Sequence, residues 1–173
     1  MLIAALSTSP VNAASFKLSA SFKLGSLDSA GTITGLGGTT WNLQLNGDGN
    51  AITSCTNLGG NTAPGQNFPH VTGTATTTLA ADSNTRHNGK SPYSVVTGDN
   101  YNISSSDAGC PNSNWTAKVV FVKWTHATIL VDDNLDFLSP EATFNFNCVT
   151  TYTPGSNSTP STFDDGTIVC TAQ

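Results

Sequence analysis

The chain has 173 residues, 10% of them charged, and a formal net charge of -5. That length suits one domain with one core. Its six Lys and Arg are scattered, which excludes the basic footprint of a nucleic-acid or anionic-bilayer partner, and no apolar run approaches the ~20 residues of a membrane span.

Met1 to Ala13 reads as the end of a signal peptide. Leu2-Ile3-Ala4-Ala5-Leu6 is apolar, and Val11-Asn12-Ala13 carries small or modest residues where a signal peptidase reads. Cleavage is expected after Ala13, and the mature protein is expected to be secreted, extracellular or at the cell surface. The segment lacks a basic n-region and its apolar core is short, which leaves room for a precursor start upstream of Met1.

Residues 14 to 24 follow at once, with Phe16, Leu18, Ala20, Phe22 and Leu24 alternating against Ser15, Lys17, Ser19, Ser21 and Lys23. A period of two is the signature of a strand with one buried face. A strand at a mature terminus either closes its own sheet or completes a neighbour's. Phe16, Leu18, Phe22 and Leu24 are therefore the candidate strand-donor residues.

Ala30 to Thr34 predicts a short strand before the Gly35-Leu36-Gly37-Gly38 turn. Trp41 to Leu45 alternates again. Residues 46 to 50, Asn-Gly-Asp-Gly-Asn, have two readings: a hairpin turn with Asp48-Gly49 at its tip, or the middle of one long strand in which Trp41, Leu43, Leu45, Gly47, Gly49, Ala51, Thr53 and Cys55 keep phase. Residues 56 to 70 are Gly- and Pro-rich and predict a loop. Val71 to Leu79 and Tyr93 to Thr97 read as strands around a polar loop at 80 to 92, and 100 to 114 is polar. In Trp115 to Val131, Trp115, Ala117, Val119 and Phe121 share one parity and Val120, Val122 and Trp124 the other, so both faces are apolar for part of the run, which predicts a central strand followed by a second through Ala127, Ile129 and Val131. After the turn at Asp132-Asp133-Asn134, strands are expected at Ala142 to Val149 and at Thr167 to Cys170, separated by a Pro-, Ser- and Thr-rich segment.

About nine short strands with Gly, Pro and Asn turns specify an all-β antiparallel sandwich, Ig-like or jelly-roll-like. The expected layout is a sandwich domain over 14–149 with residues 150–173 as its C-terminal extension. An antibody-type domain is excluded, because Trp115 follows Cys110 instead of lying between Cys55 and Cys110. Four cysteines, Cys55, Cys110, Cys148 and Cys170, allow three pairings. The favoured one is Cys55 with Cys110, tying distant strands, and Cys148 with Cys170, stapling the extension back. Closing loops of roughly 55 and 22 residues would contribute about 4 and 3 kcal/mol in a chain-entropy model. No C-x-x-C or paired Cys/His spacing supports zinc instead.

Gly35-Leu36-Gly37, then Cys55-Thr56-Asn57-Leu58-Gly59-Gly60-Asn61-Thr62-Ala63-Pro64-Gly65-Gln66-Asn67, then Cys110-Pro111-Asn112-Ser113-Asn114-Trp115-Thr116 resemble segments of a group of small secreted bacterial proteins of unknown function. The resemblance covers about residues 25 to 146. It implies an extracellular location and a β-rich fold, and leans toward the long-strand reading of 41 to 55; it brings no catalytic residues with it. The duplicated Ser-Phe-Lys-Leu and the Cys148 to Cys170 extension depart from the group.

No His-Glu-x-x-His, G-x-S-x-G or phosphate-binding glycine loop occurs around His70, His87 or His126 or elsewhere, and Glu141 is the sole glutamate. The chain therefore reads as a non-enzyme without cofactor or metal. Asp132, Asn134 and Asp136 alternate as at the opening of a calcium loop, but Phe137 falls where that loop needs Gly and Thr143 where it needs a bidentate Glu. A polar turn is the expectation there and at Asn46, Asp48 and Asn50, with weak millimolar calcium binding left open. Trp41, Trp115, Trp124 and Tyr93 read as core or edge packing, whereas Tyr101 and Tyr152, in polar loops, are the candidate ligand-binding aromatics. Sequons stand at Asn102, Asn114 and Asn157. The expected partners are other copies of the chain in a filament joined by N-terminal strand donation or, for a monomeric binding module, a polysaccharide.

Overall fold

A computed structural model describes residues 16–23, 26–37, 40–79, 89–99, 101–152 and 166–173. The 1–13 segment, Leu24, His87 and the Asn157 sequon lie outside the described residues. Among those described, none is helical, and nine strands form: β1 (Lys17–Lys23), β2 (Asp28–Thr34), β3 (Trp41–Asn57), β4 (Thr62–Pro64), β5 (His70–Leu79), β6 (Lys90–Val96), β7 (Trp115–Asp132), β8 (Ala142–Tyr152) and β9 (Gly166–Ala172).

They make two antiparallel sheets in a sandwich. The small sheet has the order β1-β2-β6. The large one runs β4-β3-β7-β8-β9, with β5 also on β3, beside its first ten residues, and β4 further along. At the borders β1 comes close to β9, and β5 to β6. Between the sheets lies the core, built on Leu27, Ile33, Leu43, Leu45, Val122, Trp124, Ile129 and Val131. Pro92 is tolerated inside β6 because that strand pairs on one side only, with β2.

The spine is β3 against β7, paired from Asn42–Asp132 to Asn57–Trp115. This overturns the hairpin reading of residues 46–50 and the division of 115–131 into two strands. Two register shifts, at Asp48/Gly49 and Ile52/Thr53, leave Thr125 and Val120 of β7 without opposite residues. Each bulge reverses which parity faces the core, so Val119 points inward, then Val122 and Trp124, then Ala127, Ile129 and Val131. The apolar residues found on both parities belong to one strand bulged twice. The loop expected at 56–70 also contains β4, so the count of nine agrees because one strand gained offsets one merged.

Glycines 47 and 49 serve close approach instead of a turn. A Cβ on Gly47 would stand 2.6 Å from Leu27 Cδ2 and 2.9 Å from the Trp124 ring, and one on Gly49 would stand 2.6 Å from the Lys123 carbonyl oxygen. Both disulfides pair as favoured, Cys55–Cys110 and Cys148–Cys170. The first joins β3 to the loop before β7 instead of tying distant strands. The second links directly opposed residues of the neighbouring strands β8 and β9, so the C-terminal segment is a strand of the large sheet.

Because Trp124 is fully buried against Gly47, Gly47→Ala should destabilise the fold by about 1–3 kcal/mol through overpacking. Urea unfolding followed by tryptophan fluorescence measures this. Gly37→Ala, where an added Cβ meets nothing within 4 Å, should leave the midpoint near wild type.

Candidate functional site

The described residues hold three places where side chains converge beyond the needs of the core. The first is the seat of β1. Its partner is β2, with Leu18 opposite Ile33 and Phe22 opposite Ser29. Phe16 meets the Trp41 ring edge-on at a centroid distance of 5.2 Å, and Phe22 meets Phe146 at 5.0 Å. Each of these places a β1-side aromatic ring on the large sheet, worth roughly 0.5–1.5 kcal/mol beyond its burial. Phe16, Leu18, Ala20 and Phe22 are all half-buried against the core. Gly31, opposite Ala20, lets the two backbones close, since a Cβ there would lie 1.8 Å from the Ser19 carbonyl oxygen. The strand thus occupies its own chain's sheet, on the edge, with β2 as its single ladder partner among the described strands.

The second place is a cleft of about 390 Å³ lined by Asn57, Leu58, Gly59, Asn112, Asn114 and Trp115. Two backbone segments distant in sequence build it. Asn57 ends β3 and starts a tight turn in which its Oδ1 accepts the Asn61 N–H at 2.9 Å and Gly60 takes φ 77°. Leu58 sits fully exposed at the tip of that turn. Across the ladder Trp115, half-buried, is the register partner of Asn57. Asn112 shapes the approach to Trp115: its Oδ1 accepts the Asn114 N–H at 3.0 Å and its carbonyl accepts the Trp115 N–H at 3.2 Å.

Cys55–Cys110 clamps these segments together, and the Asn67 N–H donates to the Ala108 carbonyl at 3.1 Å beside them. The two cysteine-bearing segments quoted for the resemblance therefore meet at one end of the sandwich. Neither segment alone signals a cleft; the signal would have been the Cys55–Cys110 pairing combined with the Asn residues next to each cysteine. A second hollow of about 370 Å³, lined by Ser105, Ser106, Cys110, Asn112 and Ser113, adjoins it through Asn112.

The third is the turn from β7 to β8. Asp132 Oδ1 accepts the Asn134 N–H, Asn134 Oδ1 that of Asp136, and Asp136 Oδ1 that of Leu138, at 2.7, 2.9 and 2.9 Å. Phe137 adopts φ 50°, in the left-handed region that favours glycine.

The candidate aromatics are placed differently from expectation. Tyr101 does not stand free in a polar loop: its half-buried ring lies 6.3 Å from that of Trp124. Its hydroxyl is buried and, like Thr97 Oγ1, makes no hydrogen bond. Tyr152 is the last residue of β8 instead of a loop residue, paired with Gly166. His70 Nε2 lies 3.3 Å from Asp48 Oδ1 on the exposed face of the large sheet, and His126, opposite Asp48, contacts Thr125 Oγ1 at 3.1 Å. Asn102 and Asn114 are exposed. No helix among the described residues is long and apolar enough to cross a membrane. No protein-family model matches the chain, and neither a curated protein nor a solved structure matches it.

Burial pushes the phenols of Tyr93 and Tyr101 above their ordinary value. The hydrogen bond between Ser29 and Tyr93 offsets this only in part at Tyr93, and the Asp99 charge adds to it at Tyr101. In the window above pH ~10 the unfolded tyrosines ionise while the folded ones keep their protons, so stability present below that pH is lost as pH rises through it. Urea midpoints should therefore fall between about pH 9 and 11, and Tyr93→Phe should flatten the decline.

Proposed function

We propose that the protein is a non-catalytic, secreted structural subunit that assembles at the cell surface, copies being joined when β1 of one fills the β1 seat of the next. The observation that carries this is the seat itself. An edge strand at the start of the described chain covers the core with four half-buried apolar side chains, Phe16, Leu18, Ala20 and Phe22. Strand addition needs what this seat offers: a ladder edge on β2 and pockets for alternate side chains. The same contacts form whether the strand comes from its own chain or a neighbour, so exchange exposes no new apolar surface. The two disulfides suit an oxidising compartment. The resemblance to small secreted bacterial proteins belongs to the same proposal.

Electron microscopy of native secreted material tests it. Regular filaments that vanish on deletion of residues 14–24, and shorten when a synthetic 14–24 peptide is added in excess to compete for the seat, are the expected result. Discrete particles no larger than the 17.9 kDa chain would sink the reading.

A second reading rests on the cleft. An aromatic face, Trp115, beside the amides of Asn57, Asn112 and Asn114 suits the apolar face and hydroxyl groups of a sugar ring. Trp41 and Trp124 are buried, so Trp115 is the tryptophan open to a soluble ligand. Saturable quenching of tryptophan fluorescence by oligosaccharides, abolished by Trp115→Ala in a chain that still folds, would favour this binding module over the filament subunit.

A further inference from the structure

Asp132 closes β7 and is 0% exposed. One carboxylate oxygen accepts the Asn134 N–H at 2.7 Å, whereas the other, Oδ2, is buried with no hydrogen-bond partner. A buried carboxylate is strongly disfavoured unless a cation or several donors compensate it. Its neighbours do the opposite. Asp133 and Glu141 each bring a carboxylate oxygen, and the three oxygens offered by Asp132, Asp133 and Glu141 lie within 4.8 Å of one another. The Asp133 N–H donates to Glu141 Oε2 at 3.1 Å, which holds Glu141 beside the turn. The ion pair among the described residues, His70 with Asp48, involves none of the three.

Three carboxylates gathered at this distance, one of them on a fully buried side chain with an unpartnered oxygen, make a negative cluster that a cation would neutralise. We propose that Asp132, Asp133 and Glu141 bind a divalent cation of the calcium class. The donor set is all oxygen, with no thiolate or imidazole, which suits a hard cation over zinc or copper. Calcium accepts six to eight oxygens in irregular geometry, so water and main-chain carbonyls can complete a site that presents three carboxylates. Magnesium, which requires a near-ideal octahedron, fits a buried and two exposed carboxylates on one turn less well. Asp133 and Glu141 are exposed and give the ion its entry, while Asp132 anchors it from the buried side. Once bound, the ion would clamp the end of β7 to the approach to β8.

The test is unfolding of the full chain by urea after chelation with EDTA, then with calcium or magnesium restored. For a dissociation constant near 1 mM, usual for extracellular modules, about 10 mM calcium should raise the folded-to-unfolded ratio about tenfold. Equal magnesium should do less. Glu141→Gln changes an exposed residue and should fold normally yet lose the calcium response. Asp132→Asn removes the uncompensated buried charge, so it should match or exceed wild-type stability in EDTA and ignore calcium. Calorimetric titration should give one calcium per chain in wild type. A wild type indifferent to calcium, or a Glu141→Gln variant with the full response, would overturn the site; an equal response to magnesium would overturn its calcium class.

Discussion

The antiparallel ladder between β3 and β7 is the constraint on which the rest of the molecule depends. At about 3.4 Å per residue it is roughly 50 Å long, close to twice the length of the strands around it. Every other strand of the large sheet attaches to one of these two: β5 and β4 to successive parts of β3, and β8, carrying β9, to β7. The core tryptophan, Trp124, hangs from the ladder beside one bulge. The ladder also sets where chemistry can gather. Its ends are Asn57 opposite Trp115 and Asn42 opposite Asp132, so the asparagine-lined cleft and the acidic turn are held at opposite ends of a single pair of strands.

Such a long ladder cannot stay regular. Strands twist, and a flat pair of this length would part from a sandwich core that curves beneath it. The two bulges absorb the mismatch, each at the cost of one unpaired residue on β7, Val120 or Thr125. Removing side chains at Gly47 and Gly49 lets the Trp124 ring and the Lys123 carbonyl come close where the strand bends. The same glycines that look like a turn in the sequence are what allow a strand to pass through without one.

This explains how much could be read in advance. Fold class and the number of strands were legible, because alternation and turn chemistry act locally; for the four cysteines one pairing could be favoured, but composition leaves three open. The β1 strand was legible to within its described bounds for the same reason: Phe16 to Phe22 alternate without a break. Bulges were not, since an inserted residue shifts parity in the same way as a strand boundary does. The cleft escaped because its two halves are about fifty residues apart and meet only through Cys55–Cys110 and the end of the ladder. At the acidic turn the residue types were visible, but an alternating Asp-Asn-Asp run is ordinary turn chemistry. What distinguishes this one is the complete burial of Asp132 and the return of Glu141 to the Asp133 amide, and neither property exists until β8 pairs with β7.

The seat of β1 and the acidic turn act on different terms of the same sandwich. Phe22 rests on Phe146 of β8, and β8 is carried by β7 between His126 and Val131, the stretch that ends at Asp132. A cation at the turn would hold β7 and β8 together and so stiffen the floor of the seat without touching β1. The floor is common to a strand from its own chain and a strand from a neighbour. Clamping it strengthens both arrangements alike and shifts nothing between them, because a ligand moves an equilibrium only by its differential affinity for the two states. The choice between home pairing and exchange then lies with protein concentration and with the link between β1 and β2, residues 24–27, which ties the strand to its own domain, so that the entropy of closing that link at home is set against the avidity of many linked copies.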